Sequence, residues 1–277
     1  MSREGRTRVF IAVDLAGVCG VVHEWETDPE ARGYARARAA MQADLLAAVD
    51  GCRAAGVDEI VVCDAHNDGG NLDPAAMPEG VRLAAGSPTP DSMMQGIGPG
   101  FDAALFVGYH ARAGTPGAVL EHTWTYKVFG MSVGGVELGE FGLGAMLAGH
   151  FGVRAVYVSG DDKMAAEARA LVPGITATVV KRGIMRTSAV LVPPDEARVR
   201  IRADVETALK GSTVAAPLEW SGDPLVLTFT RVPFCDAASA YPGARRFDGR
   251  TLEIGGADFA EIYRGFLACL DLAALAE

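Results

Sequence analysis

The chain has 277 residues, of which 49% are hydrophobic and 22% are charged. These values are typical of a globular protein, and a chain of this length buries a sizeable core without disulfides or a structural metal. Its net charge of -10 argues against a nucleic-acid partner and against an anionic membrane surface, because both are bound through clustered lysine and arginine side chains.

The cysteine content indicates a reducing compartment. The five cysteines are an odd number, none forms a CxxC pair, and most have apolar neighbours, as small buried hydrophobic residues do. Disulfides are therefore not expected. The chain starts like a signal peptide, but Asp14 interrupts the apolar run, and no segment reaches the roughly 20 apolar residues of a membrane span. We predict a cytoplasmic protein, and the abundance of arginine, alanine and glycine favours a bacterial source.

The first part of the chain predicts strands that alternate with helices. Arg8–Val13 is a β-rich run that ends at Asp14, and residues 29–55 have helical periodicity that Gly56 closes. The other elements predicted up to residue 180 are strands at 59–63, 81–83, 103–107, 155–158 and 176–180, a helical turn at 91–97, a hairpin of 127–133 with Val136 around Gly134 and Gly135, a helix at 139–149, and a helix capped by Asp161 and Asp162 that runs to Leu171.

This alternation predicts an α/β fold with a mostly parallel sheet and helices on both faces. Beyond about residue 194 the pattern changes to helices at 195–210 and 258–275 and strands at 225–230 and 251–254. We therefore predict an α/β metal-binding catalytic domain at 1–193 and a smaller C-terminal α+β domain at 194–277.

Polar side chains follow several of the predicted strands at the point where each strand ends. Asp14 closes the first strand, Asp64 and His66 follow the second, and His110 follows the strand at 103–107. Ligands of open α/β sheets bind outside the carboxyl ends of the strands, so these side chains are expected at one edge. Glu140 begins a helix and can be brought to the same edge. The sequence therefore predicts a candidate metal site.

This mixture of histidine and carboxylate side chains suits a catalytic metal. Zinc takes imidazole and carboxylate ligands, and a catalytic site leaves one position for water. The metal acidifies that water and polarises a scissile carbonyl, which favours hydrolysis. Manganese, cobalt and iron are compatible with the same ligands. No GxSxG motif is present, so a serine hydrolase has no support.

Each candidate residue also has a simpler interpretation. Asp14 is the hardest to explain otherwise, because a lone buried carboxylate is costly unless it is paired or bound to metal. His66 and His110, taken singly, are compatible with ordinary loop histidines. Glu140 is compatible with a first-turn glutamate favoured by the helix dipole. Function is favoured because the four residues are predicted to lie together.

At these residues the sequence resembles the zinc D-aminopeptidases of the DppA type over nearly its whole length. The long block GYHARAGTPG at 108–117 matches the family pattern unchanged and is the most specific part of the resemblance. The other matching blocks are AVDLAGVCG at 12–20, DAH at 64–66 with NL at 71–72, GEFG at 139–142, GDDKMAAEA at 160–168 and RTSA at 186–189.

The resemblance implies a two-zinc aminopeptidase that removes D-amino acids from short peptides. It implies that Asp14 bridges the metals, that His110 and Glu140 bind one of them, and that His66 binds the other. It further implies a catalytic role for His122, which would act on the substrate or its oxyanion. The family assembles as a ring-shaped homodecamer, so a homo-oligomeric partner is expected along with a small peptide substrate.

One position departs from the family pattern. Ala16 stands where the first block of the family has a glutamate that binds metal, and a methyl group cannot do so. One outcome is a single metal held by Asp14, His110 and Glu140, and another is a drift to a different amide or ester substrate or to none. A third outcome is a replacement ligand, for which the candidates are Asp64, His23, Glu24 and Glu26.

Three functions therefore compete. The first is a metal-dependent aminopeptidase that releases D-amino acids from short peptides. The second is a related metal-dependent hydrolase of another small amide or ester, which the alanine at position 16 motivates. The third is a non-enzymatic oligomeric binding protein, and retention of every other site residue argues against it.

Overall fold

The computed structural model describes residues 6–211 and 216–276, and it contains two β-sheets and six α-helices in those residues. The helices are α1 (Tyr34–Ala54), α2 (Glu140–His150), α3 (Asp162–Leu171), α4 (Pro194–Lys210), α5 (Val232–Ala238) and α6 (Phe259–Ala274). The strands are β1 (Arg8–Val13), β2 (Glu59–Asp64), β3 (Val81–Ala84), β4 (Ala103–Val107), β5 (Val128–Val133), β6 (Val136–Leu138), β7 (Arg154–Asp161), β8 (Thr176–Met185), β9 (Ser188–Leu191), β10 (Leu225–Phe229), β11 (Ala244–Arg246) and β12 (Thr251–Ile254).

The larger sheet confirms the α/β prediction. Its seven strands lie in the order β3-β2-β1-β4-β7-β8-β9, and every pair is parallel except β8 with β9. The central strands β1 and β4 are apolar except for Arg8 at the start of β1, and one hydrophobic cluster covers them on each face. Helices α1 and α4 contribute to one cluster, and α2, α3 and α6 contribute to the other. Such continuous apolar runs are typical of parallel strands that are buried on both faces.

The second sheet is antiparallel and has the order β11-β12-β10-β5-β6. It combines a hairpin from the middle of the chain with three strands from its C-terminal part, and it packs into the same core cluster as α2 and α6. Helix α4, which follows residue 193, packs instead against α1 and β8. The predicted division into domains at residues 193 and 194 stays a prediction, and residues 1–5, 212–215 and 277 lie outside the described residues.

Several predicted boundaries were wrong for local reasons. Helix α1 begins at Tyr34 rather than at residue 29, because turns occupy the preceding residues and Gly33 forms its N-cap. Strand β8 runs on to Met185 because β9, which was not predicted, pairs with it. The predicted turn at 91–97 is a short 3-10 helix at Ser92–Met94. Strand β11 and the short helix α5 were also missed.

The predictions about the cysteines and the helix caps were confirmed. All five cysteines are free and buried, as their apolar neighbours predicted. Asp161 caps α3 by accepting hydrogen bonds from the amides of Lys163 and Met164, and Asp258 caps α6 through the amide of Glu261. Among the described residues, none of the helices combines the length and the apolar character needed to cross a bilayer.

Candidate metal centre

The loops that follow the parallel strands β1 and β4 lie so close together that only glycine fits at their contact. The amide of Asp14 donates to the carbonyl of Val107, and the amide of Gly17 donates to the carbonyl of Gly108. Gly108 has a φ of +71°, and a Cβ atom there would lie 2.4 Å from the carbonyl oxygen of Asp14. This close contact places the loop after β1 directly against the loop after β4, which carries His110.

The structure brings all five predicted residues to this edge of the sheet. Asp14 follows β1, His66 follows β2, His110 follows β4, and Glu140 is the first residue of α2. His122 comes from the long loop between β4 and β5. Four of the five are buried residues, and the side chain of His122 is 20% exposed. Their roles stay predictions, but their proximity is a property of the fold.

His110 lies at the middle of this group. Its Nε2 atom is 3.3 Å from Oε2 of Glu140 and 3.5 Å from Oδ2 of Asp14. On one side, His66 Nδ1 lies 3.0 Å from Oδ1 of Asp14. On the other side, the ring of His122 stacks on His110 with centroids 3.9 Å apart, and its Nε2 lies 3.8 Å from Oε1 of Glu140. One ligand atom each of His110, His122 and Glu140 lies within 4.8 Å of the other two.

Main-chain carbonyls fix which nitrogen of each ring faces the carboxylates. A carbonyl oxygen can only accept, so the ring nitrogen beside it carries a proton, and the other nitrogen of a neutral ring is a free acceptor. His66 differs, because its Nδ1 also faces an acceptor, the Asp14 carboxylate, and donates to it when the ring is charged. The acceptors are the carbonyl of Thr27 for His66 Nε2 at 2.9 Å, that of Ala111 for His110 Nδ1 at 3.1 Å, and that of Leu120 for His122 Nδ1 at 2.8 Å.

The central nitrogen has the environment of a metal ligand. His110 Nε2 is buried and has no hydrogen-bond partner, although two carboxylate oxygens surround it. When the His110 ring is neutral, three acceptors face one point and leave a buried polar atom unsatisfied, which is costly, so this point favours a proton or a bound cation. A divalent cation satisfies all three, and carboxylate with imidazole is a donor set that zinc accepts. The residues present therefore fit a metal.

The electrostatics favour positive charge at the same point. Burial alone raises the pKa of Asp14, but the hydrogen bond and charge of His66, with the charges of His110 and His122, hold it below its ordinary range. Burial lowers the pKa of His110, yet the Glu140 and Asp14 carboxylates raise it to about 9. Burial would also raise the pKa of Glu140, but His110 lowers it. Burial and the charge of His110 lower the pKa of His122.

All four candidates for replacing the carboxylate that is missing at Ala16, a buried residue in the wall of the site, have other partners in the structure. Asp64 accepts hydrogen bonds from Asn71 and from the amide of Leu72. The other candidates are also engaged elsewhere: Glu24 pairs with Arg186, Glu26 binds the amides of Val22 and His23 together with Arg36, and the ring of His23 stacks on Trp25.

Two cavities open onto the centre. The outer one has a volume of about 700 Å³ and is lined by polar groups and by the aromatic rings of Trp25, Trp124 and Tyr126. The inner one has a volume of about 220 Å³ and reaches Asp14 and Glu140. The described non-glycine residues with positive φ all line one or both cavities, and they are Asn67, Ser92, Leu120 and Trp124. Backbone strain of this kind clusters at functional sites.

Sequence reasoning missed the contributions of the main chain. The amide of Trp124 donates to Oε1 of Glu140, which leaves Oε2 to face His110. The carbonyl of Thr27 orients His66. Such groups leave no trace in residue type, and the left-handed φ of 64° at Trp124 is also invisible in the sequence.

Comparisons with known proteins agree with this geometry. The chain matches the family model described as D-aminopeptidase over residues 7–268. A D-aminopeptidase from Bacillus subtilis (strain 168) is 30% identical over 268 residues, which are 96% of this chain and 97% of that relative. A solved structure, described as the zinc-dependent D-aminopeptidase DppA from Bacillus subtilis, a self-compartmentalizing protease, matches with a TM-score of 0.94 and 29% identity, covering 97% of this chain and 98% of that one.

Proposed function

Because the chain belongs to the D-aminopeptidase family, we propose that it is a metal-dependent aminopeptidase that releases D-amino acids from short peptides. The single observation that carries the proposal is the unsatisfied Nε2 of His110, which faces carboxylate oxygens of Asp14 and Glu140 at 3.5 and 3.3 Å. A structural site has no need of the cavities beside it, whereas a hydrolase needs room for substrate and water.

The proposed metal is zinc, bound by Asp14, His110 and Glu140. The two carboxylates and one imidazole leave room for further ligands, as catalytic zinc sites require. When bound, the metal supplies Lewis-acid chemistry, because it acidifies water and polarises the carbonyl of the scissile amide. The amide of Trp124 orients the Glu140 carboxylate, and the carbonyl of Ala111 orients the His110 ring.

His122 is the residue that we assign to proton transfer. Its Nδ1 donates to the carbonyl of Leu120, so its Nε2 is an acceptor. Its pKa is lowered by burial and by the charge of His110, so the ring is neutral near pH 7 and can accept a proton. The proton that it accepts is the one that the attacking water loses, and the same nitrogen then donates this proton to the departing amine of the peptide. Its position on the wall of both cavities gives it access to substrate.

The binding of His66 to metal is the least supported part of the predicted ligand set. The ring is fixed by Thr27, and its Nδ1 faces Asp14 rather than an open position. The methyl side chain of Ala16 offers no ligand atom for a second metal. We therefore propose one tightly bound metal per chain, with His66 orienting Asp14 and completing only a weak second site.

We further propose that the protein is cytoplasmic and assembles into a ring-shaped homodecamer. A relative is described as self-compartmentalizing. In this chain the β8–β9 hairpin exposes four large apolar side chains, which favours burial against another copy. These side chains are Ile184, Met185, Val190 and Leu191.

The experiment is hydrolysis of D-Ala-D-Ala and L-Ala-L-Ala by protein loaded with zinc, before and after chelation. We expect the D-dipeptide to be cleaved, the activity to vanish on chelation, and zinc to restore it. His110→Gln should abolish both zinc binding and activity, whereas His150→Gln, a histidine exposed at the end of α2, should leave both intact. Activity that survives chelation would count against the proposal.

A second function is favoured by Ala16. A buried methyl group in the wall of the outer cavity changes the shape of the site where the family pattern has a carboxylate. A related metal-dependent hydrolase of another small amide or ester would keep the same centre. Slow cleavage of D-dipeptides together with metal-dependent cleavage of a nitrophenyl ester or anilide would favour it. The absence of bound zinc would favour a non-enzymatic binding protein.

A further inference from the structure

Lys181 is a completely buried lysine that none of the steps above uses. It lies in β8 and is 0% exposed. Its ammonium has three N–H donors, and each has a main-chain carbonyl as its partner. Nζ lies 2.8 Å from the oxygen of Ala16, 3.1 Å from that of Val18 and 2.6 Å from that of Val21.

The three carbonyls act as a cage for a cation. Among the described residues Lys181 makes no ion pair, so its charge is balanced by carbonyl dipoles and by more distant charges. Burial of an unpaired charge is costly unless hydrogen bonds compensate it fully. Burial lowers the pKa of Lys181 to about 8, although nearby acidic groups oppose this shift. Three carbonyls that converge on one point would repel each other without the ammonium.

The caged loop is the one that carries Asp14 into the metal centre. On its other side the loop is pressed against the end of β4, since a Cβ atom at Gly17 would lie 1.9 Å from the carbonyl oxygen of Tyr109. The amide of Cys19 is held by the buried carboxylate of Asp44. The loop is thus fixed between β4 and β8, and Lys181 supplies the contact from β8.

We propose that Lys181 is a positioning residue for the metal centre: its ammonium holds the main chain of residues 16–21 in the shape that aims the Asp14 carboxylate at His110. This inference rests on the proposed function, because it takes Asp14 to be a metal ligand. Lys181 touches neither metal nor substrate and acts only through the loop.

The test removes the Lys181 side chain and then supplies its charged group as a small ammonium ion in solution. Lys181→Ala removes the part of the side chain that n-propylammonium resembles. Cobalt(II) is titrated into metal-free protein and followed by its visible absorption, with and without n-propylammonium chloride. We expect the dissociation constant for cobalt to rise about 10- to 100-fold, as for other residues that orient metal ligands, and n-propylammonium to reverse most of this loss.

Two controls separate positioning from general stability. Tetramethylammonium carries the same charge but has no N–H donor, so it should not restore cobalt binding. Leu227→Ala removes a fully buried side chain from β10 and should lower the thermal stability without weakening cobalt binding. Equal loss of cobalt affinity in Leu227→Ala and Lys181→Ala would overturn the proposal.

The remaining outcomes distinguish failure of the positioning role of Lys181 from failure of the proposed function. If Lys181→Ala is less stable yet binds cobalt as tightly as the unaltered protein, Lys181 is merely structural and the proposed function survives. If the unaltered protein binds no cobalt, both the proposed function and this inference fail. If Lys181→Ala does not fold, Lys181→Arg retains the charge in a planar group that three convergent carbonyls do not fit. Unchanged cobalt affinity in Lys181→Arg would then overturn the proposal.

Discussion

The charge of His110 predicts that the metal-free protein loses stability as the pH rises above neutrality. The folded-state pKa of His110 is raised from 6.5 to about 9 by the carboxylates of Glu140 and Asp14, which outweigh the opposing effect of burial. A histidine whose folded pKa is raised stabilises the fold fully below its unfolded pKa. That contribution is lost as the pH rises toward the folded pKa.

The magnitude follows from the same shift. Each pKa unit corresponds to about 1.4 kcal/mol, so the rise from 6.5 to about 9 amounts to about 3 kcal/mol in the free energy of unfolding. Between 6.5 and 8 about 2 kcal/mol of this should disappear. Above about 8 the buried Lys181 acts in the opposite direction, because its lowered pKa makes deprotonation relieve a cost. The range from 6.5 to 8 is therefore the cleanest window.

The assay is urea unfolding in the presence of a chelator at several pH values in this window. The unaltered protein should lose stability with rising pH, and His110→Gln should lose clearly less. The loss that persists in His110→Gln is attributed to the raised pKa of His66. Metal affinity should change in the opposite sense and rise with pH, because a metal binds the neutral ring. A free energy of unfolding that is constant or rises in this window would refute the reasoning.

Three further predictions concern the roles of individual residues. His122→Ala should lower the hydrolysis rate about 10²- to 10⁴-fold while the zinc content per chain is unchanged, whereas loss of zinc would make His122 a ligand. Ala16→Glu should raise the zinc content from near one to near two per chain by elemental analysis, and an unchanged content would mean that a carboxylate there cannot reach a metal. Gly108→Ala should destabilise the protein well beyond the about 1–2 kcal/mol of left-handed strain expected for Gly114→Ala, because only Gly108 also meets the Asp14 carbonyl; equal losses in urea unfolding would contradict this.

The sequence was sufficient for the fold class, and it placed most of the candidate site residues at one edge of the sheet. Runs such as Ala103–Val107 are apolar throughout, and the parallel arrangement of such strands brings the residues after them to one edge. Asp14, His66 and His110 could be placed together on that basis alone. Glu140 was compatible with the same edge because it begins a helix, and only His122 depended on the resemblance to a family, because no sequence pattern links a loop histidine to that edge.

The geometry of the site could not be predicted, because main-chain atoms decide it. The tautomers of the histidines depend on carbonyls of residues that have no chemical signature, such as Thr27 and Leu120. The edge strand β9 was missed for a similar reason, since its pairing with β8 depends on the turn between them rather than on alternating polarity. Lys181 comes directly after the predicted strand at 176–180, and only the structure places it in β8 within a cage of carbonyls.

This control by the main chain explains how the centre tolerates an alanine at position 16. The orientation of Asp14 is set by the Val107 carbonyl that fixes its amide and by the loop that Lys181 holds, and neither contact involves the side chain at position 16. On the proposed ligand set, an alanine at this position therefore removes one ligand without moving Asp14, His110 or Glu140. The pairing of Asp14, His110 and Glu140 persists because it is determined by strand order and by glycine contacts, so a change in metal number need not be accompanied by a change in fold. By the same reasoning, we expect the geometry of the centre to be most sensitive to substitution of Gly108 and Lys181, because those changes disturb the loop itself. Substitution at position 16, where the chain differs from the family pattern, should disturb it less.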